Sequence, residues 1–135
     1  MSRWAQSRLV ANKFGSGGPY EETVGYSRMV VVGDLALLAG CTSVVDGQVA
    51  HVGDAYAQTL EAIGIALTAL AKVEMAAKDV IRTRMYVVGR ENCEKVGAAH
   101  GVIFGDVRPV ATMVLVAGLI DPDMLVEVEI EALLQ

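Results

Sequence analysis

Residues 126–132 read Val-Glu-Val-Glu-Ile-Glu-Ala, an unbroken alternation of apolar and acidic side chains. A period of two belongs to a β-strand, whose successive side chains leave on opposite faces. Val126, Val128, Ile130 and Ala132 therefore share one face, and Glu127, Glu129 and Glu131 the other. Such a strand demands an apolar layer on one side of its sheet and partners for three like charges on the other. The segment from Val80 to Val88 reads as a second strand, with Ile81, Thr83, Met85 and Val87 on one face and Arg82, Arg84 and Tyr86 on the other. Its arginines are natural cross-strand partners for the glutamates.

The covering layer comes from two segments of helical period. Asp54 can cap a helix to about Lys72, in which Tyr56, Leu60, Ile63, Leu67 and Leu70 form a stripe and Gln58, Glu61, Thr68 and Lys72 are polar. A second helix runs from about Glu91 to Phe104, with Cys93, Val96, His100 and Ile103 on one stripe. Met29–Val32 and Leu35–Ala39, separated by Gly33-Asp34, predict a hairpin with a type II′ turn. Asp46-Gly47 predicts a second turn of the same kind, between Thr42–Val45 and Gln48–Val52. Thr112–Ala117 is nearly all apolar, so a strand covered on both faces is expected there. Two helices, each apolar along one stripe, predict an α+β two-layer sandwich: a mixed sheet with both helices on one face.

A chain of 135 residues is one domain, here an N-terminal arm over 1–22, flexible or turning at Gly15-Ser16-Gly17-Gly18-Pro19, and a single domain over 23–135. With 53% apolar residues it is too apolar for disorder. The balance of 11 Lys+Arg against 16 Asp+Glu, net −5, disfavours a nucleic-acid partner, which needs clustered cations. Mean hydropathy is +0.44, yet the longest apolar runs, such as 35–39 and 113–117, fall far short of the roughly 20 residues of a membrane span. The acidic sheet face is either solvated or an interface; the hydropathy favours an interface between copies. Cys41 and Cys93 make no disulfide framework, and a cytoplasmic setting is expected.

Few residues suit chemistry. His51 and His100 stand outside any metal-ligand frame, so no metal is expected. Cys93 and His100, seven residues apart on a helix, lie about 10 Å apart along its axis, too far for a nucleophile–base pair. They read as a small core residue and a satisfied histidine at the helix–sheet contact. Glu129, inside an apolar strand, is either an acid/base or water-orienting group or the partner of Arg82 or Arg84. Arg108, before Pro109, is either a bidentate anchor for a carboxylate or a loop arginine. Tyr26 either offers its hydroxyl to a ligand or packs at a strand end.

Gly25-Tyr26-Ser27-Arg28, Val32-Gly33-Asp34 and Leu38-Ala39-Gly40 resemble the N-terminal hairpin of the Rid family, the reactive intermediate deaminases of YjgF type. The resemblance continues through Ala57-Gln58-Thr59-Leu60-Glu61-Ala62, Asp79–Val87, Phe104-Gly105, Arg108–Val114 and Val126–Ala132, and spans about Tyr20 to Leu134. It implies a chorismate-mutase-like fold assembled as a homotrimer, with the sheets forming a central barrel and small-molecule clefts between subunits. Well-known members hydrolyse enamines and imines to 2-oxo acids and ammonia without metal or cofactor; others were described as endoribonucleases or translation inhibitors.

By this resemblance the water-orienting glutamate is Glu129, and Tyr26 and the Gly40 backbone contact substrate. Tyr20 is a rival to Tyr26, six residues out of step with Gly33-Asp34. The family's Pro-Ala-Arg-Ser/Thr motif reads Pro109-Val110-Ala111-Thr112, which keeps Thr112 at the substrate and puts Ala111 where the carboxylate-binding arginine stands. A methyl group cannot replace a bidentate guanidinium. Arg108 compensates only if the Pro109 turn aims it into the cleft, since an odd offset along a straight strand points to the opposite face. Two readings follow: cofactor-free imine or enamine hydrolysis, or a non-catalytic homotrimer binding a small metabolite or a protein partner.

Overall fold

The computed structural model describes residues 10–135; the first nine residues of the expected arm lie outside them. The described strands are β1 (Ala11–Phe14), β2 (Met29–Val32), β3 (Leu35–Cys41), β4 (Val44–Val45), β5 (Gln48–Val49), β6 (Val80–Val88), β7 (Val110–Val116) and β8 (Val126–Leu133). The helices are α1 (Ala55–Ala71) and α2 (Cys93–Phe104). Among the described residues, six strands form one mixed sheet in the order β1-β2-β3-β8-β6-β7, antiparallel except for the parallel β6–β7 pair joined through α2. This is the α+β architecture that the two patterns required.

β8 sits in the middle of the sheet, and its alternation holds in full. Val126, Val128, Ile130 and Ala132 are each no more than 1% exposed, beneath α1 and beside Met85 and Val87. Asp54 caps α1, its carboxylate accepting from the Ala57 N–H at 3.0 Å. The buried stripe of α1 differs from expectation. It runs through Ala55, Thr59, Ala62, Ile63, Ala66, Ala69 and Leu70, while Tyr56 is exposed and Leu60 and Leu67 are half-buried. Small side chains allow the helix to approach the layer beneath closely, so alanine displaces leucine from the contact. Gln58, expected on the polar side, is fully buried. It donates to the carbonyls of His51 (3.2 Å) and Asp123 (2.9 Å) and accepts from the Leu125 N–H (2.8 Å); the last two have no other partner among the described residues, whereas the His51 carbonyl also accepts from the Asp54 N–H.

Other departures are local. In β6 the register slips between Val80 and Arg82, a bulge that buries Val80 and turns Ile81 outward, reversing its expected face. The Gly33-Asp34 turn has positive φ at Gly33 alone, as type II′ requires. At Asp46-Gly47 both residues have positive φ (51° and 79°), so this turn is type I′, joining a two-stranded ribbon, β4–β5, shorter than expected and outside the main sheet. β7 is an exposed edge rather than a strand covered on both faces: among the described residues nothing pairs beyond it, and of its residues Met113 alone packs on the core. Within the expected arm, Ala11–Phe14 form β1. β1 pairs with β2, and the following glycine loop wraps the Glu21 carboxylate, which accepts from the Ser16 N–H and hydroxyl and from the Gly18 N–H. The Ser16 hydroxyl is the chief cause of the lowered Glu21 pKa.

His100 is the satisfied histidine expected, its Nε2 2.8 Å from the Thr83 hydroxyl, with burial lowering its pKa. Among the described residues no helix is long and apolar enough to cross a membrane.

Candidate functional site

The outer face of the sheet carries the charged rungs. Register sets Arg82 opposite Glu131, Arg84 opposite Glu129 and Tyr86 opposite Glu127. The side chains of Arg84 and Tyr86 pair one step along the diagonal, within reach of long side chains, whereas Arg82 keeps its direct partner. Arg84 Nη1 reaches Glu131 at 3.2 Å, Arg82 Nε reaches the same carboxylate at 3.6 Å, and the Tyr86 hydroxyl donates to Glu129. Glu129 is thereby held by a phenol rather than by either arginine. Its hydrogen bond, with burial, raises the Tyr86 pKa and keeps that hydroxyl a donor. Glu127, last on the diagonal, has neither a salt bridge nor a hydrogen bond among the described residues.

What Glu127 meets instead is Gly40. Pairing of β3 with β8 is interrupted between Leu38 and Cys41, so Ala39 and Gly40 bulge opposite Glu129. A Cβ on Gly40 would lie 2.0 Å from Glu127 Oε2, so only glycine leaves room for that carboxyl. Arg28 fixes the bulge from below. Its Nη1 donates to the Gly40 carbonyl at 2.8 Å and approaches Cys41 Sγ at 3.3 Å, while its own carbonyl accepts from the Ala39 N–H at 2.9 Å. Burial, then the charge of Glu129, holds the Glu127 carboxyl above its ordinary pKa, against the opposing pull of Arg28. Burial likewise raises the Cys41 thiol.

Beside them lies an open hollow of about 340 Å³ lined by Gly40, Tyr86, Val116, Leu119, Glu127 and Glu129. Of the residues singled out in the sequence, the fold brings Glu129 and Gly40 together here. Thr112 stands on the same rung as Arg84 and Glu129, on the same face but outside the lining. Tyr26, exposed, precedes β2 and does not line the hollow. Arg108, at φ 57°, lines a different hollow with His100, Gly101, Phe104, Gly105 and Pro109. Within one chain, Arg108 and Glu129 therefore do not share a cavity. Ala111 pairs with Thr83, on the helix-facing side of β7.

The endoribonuclease L-PSP family profile matches residues 19–134. An uncharacterized protein of Streptomyces coelicolor is 41% identical over 117 residues, 87% of each chain. The crystal structure of a YjgF/YER057c/UK114 family member from Mycobacterium tuberculosis is 38% identical and superposes with a TM-score of 0.83, covering 93% of this chain and all of that one. The chain belongs to the YjgF/YER057c/UK114, or endoribonuclease L-PSP, family. A YjgF family member from Neisseria meningitidis, 20% identical, shares the fold at a TM-score of 0.75 over 93% of this chain and 96% of its own.

In this YjgF-family chain the sequence patterns did not single out Arg28, Tyr86 or Glu127. Two of them were within reach. Tyr86 and Glu127 lie on the faces that the alternation of β6 and β8 already defines, and register alone brings them beside Glu129. Arg28 leaves no such trace, because its role depends on a bulge.

Proposed function

We propose that this YjgF-family protein is a homotrimer that hydrolyses the C=N bond of a small imine, or its enamine tautomer, in inter-subunit clefts built on the Gly40–Glu129 hollow. One observation carries the reading: Glu129, free of both neighbouring arginines, faces an open hollow with one lone pair taken by Tyr86 and others left to hold water. A carboxylate so oriented accepts a proton from water as the water adds to the electrophilic carbon. Gly40 offers backbone without a side chain beside it. The reaction needs water and no cofactor.

Assembly is supported by β7, where Val110, Val114 and Leu115 are between 41% and 59% exposed on an edge strand with no charged residue. Tyr26, Arg108 and Thr112, which do not line the Glu129 hollow within a chain, act at substrate in this reading only across the boundary between copies. The test is direct. Light scattering should give about 43 kDa, three times 14.3 kDa, and imines generated in situ from a panel of amino acids and amines should hydrolyse faster with the protein than without. Glu129→Gln should abolish that acceleration.

Ala111 favours a second reading, a non-catalytic trimer that binds a small metabolite or protein partner. The resemblance implies a carboxylate-binding arginine at that position, and the methyl side chain supplies no charge. No acceleration on any imine, with or without a carboxylate, would select this reading.

A further inference from the structure

Glu127 is the group on this face that the water-orienting role of Glu129 leaves without a task. Resting on the hydrolase reading above, we infer that Glu127 is its proton donor: a carboxylic acid that protonates the substrate nitrogen while Glu129 takes the proton of the attacking water. The two glutamates lie two residues apart on one face of β8 and line the same hollow. Tyr86 donates to Glu129 and so fixes the orientation of that carboxylate toward the hollow. Glu127 receives no such donor, and its carboxyl is pressed against Gly40. The charged and titratable groups facing it are Glu129 on β8, Tyr86 on β6, Cys41 on β3 and Arg28 ahead of β2. Arg28 spends Nη1 on the Gly40 carbonyl and Cys41. Two carboxyls whose settings differ in this way divide into an acid and a base.

The protons balance without a co-reactant. As the water oxygen bonds to carbon, the C=N π pair moves to nitrogen, which takes the Glu127 proton, and the water proton passes to Glu129. In the carbinolamine so formed, Glu129 returns its proton to nitrogen and Glu127 removes the hydroxyl proton. The C–N bond breaks, ammonia or an amine leaves with the electron pair, and the carbonyl forms. Both carboxyls end as they began.

The experiment is the pH dependence of kcat/KM for imine hydrolysis by wild type, Glu127→Gln and Glu129→Gln. The ¹³C titration of the Glu127 carboxyl, assigned by its absence from Glu127→Gln, is recorded on the same trimer. The inference expects activity to fall as pH rises through the Glu127 titration, and that limb to vanish in Glu127→Gln with a loss of about 10²–10⁴-fold. Glu127→Asp, which keeps the acid but shortens it, should recover part of the rate. If wild type is active and Glu129→Gln inactive while Glu127→Gln keeps both rate and basic limb, Glu127 is not the donor and the hydrolase reading stands. A basic limb that does not coincide with the Glu127 titration also overturns the assignment. If wild type accelerates no imine, the hydrolase reading fails and the donor role falls with it.

Discussion

Gly40→Ala separates a structural glycine from one that shapes the site. The added Cβ would sit 2.0 Å from Glu127 Oε2, 2.7 Å from Cδ and 3.0 Å from Cγ. The closest of these is about 1.4 Å short of ordinary contact, so the carboxyl must leave. Because Glu127 is half-buried and its far end can rotate into the open hollow, the backbone of β3 need not move. Turning a side chain off its preferred rotamer costs about 0.5–1.5 kcal/mol. For a domain of this size that lowers Tm by only a few degrees, roughly 2–7 °C. The Glu127 titration should shift far more visibly. With its carboxyl moved to water, the burial that raises its pKa is lost, and its midpoint should fall toward the ordinary glutamate range. Gly64→Ala is the control, since a Cβ there meets nothing within 4 Å and a helical glycine replaced by alanine should raise stability by about 0.5–1 kcal/mol. Scanning calorimetry and carboxyl ¹³C titration on both variants make the measurement. An unmoved Glu127 midpoint in Gly40→Ala would refute the packing argument.

Asp79 is inaccessible to solvent and accepts from the N–H groups of Ala76 (2.8 Å) and Gln135 (3.0 Å), the first of which chiefly lowers its pKa. A lowered acid stabilises the fold above its unfolded pKa and loses that contribution as pH falls through the folded value. Asp79→Asn should therefore cost about 1.5–3 kcal/mol at neutral pH and narrow the gap to wild type in acid, followed by urea denaturation across pH. Glu127, raised by the fold, has the opposite sign: its burden on stability appears as pH rises above the unfolded pKa. Glu127→Gln should thus be more stable than wild type at pH 8 and equal to it near pH 3, in the same denaturation series. Gln58→Ala strands two backbone groups, the Asp123 carbonyl and the Leu125 N–H, and should cost about 2 kcal/mol or more. Val80→Ala should cost about 2–3 kcal/mol but Ile81→Ala under about 1 kcal/mol; the reverse order in denaturant midpoints would refute the β6 bulge.

The parts of the fold legible in the sequence are those where one periodicity decides everything. β8 alternates without exception because a single residue of slip would bury three carboxylates, and the Asp54 cap and the Gly33 turn follow from local chemistry. Tertiary packing governs the rest. The α1 stripe had to be read as alanine rather than leucine, and Gln58 as buried, only once the loops at His51 and Asp123 were in place. The slip that turns Ile81 outward adds one residue and leaves no compositional mark. At the site, Glu129 and Gly40 were visible individually. The diagonal step that gives Tyr86 to Glu129 and leaves Glu127 unpaired belongs to side-chain reach across strands, which follows from register and not from order along the chain.

β8 is the last of the strands in sequence yet lies in the middle of the sheet, wedged between β3 and β6. Neither the hairpin β2–β3 nor the β6-α2-β7 unit has a neighbour on its inner side until that segment arrives. During synthesis on the ribosome the two halves must wait, each with an unsatisfied edge, for a keystone that closes contacts as distant as Leu35 with Leu133. Such long-range closure makes for slow folding. It also makes the same seven alternating residues the point at which a nascent chain commits to the native topology or to association through its open edges.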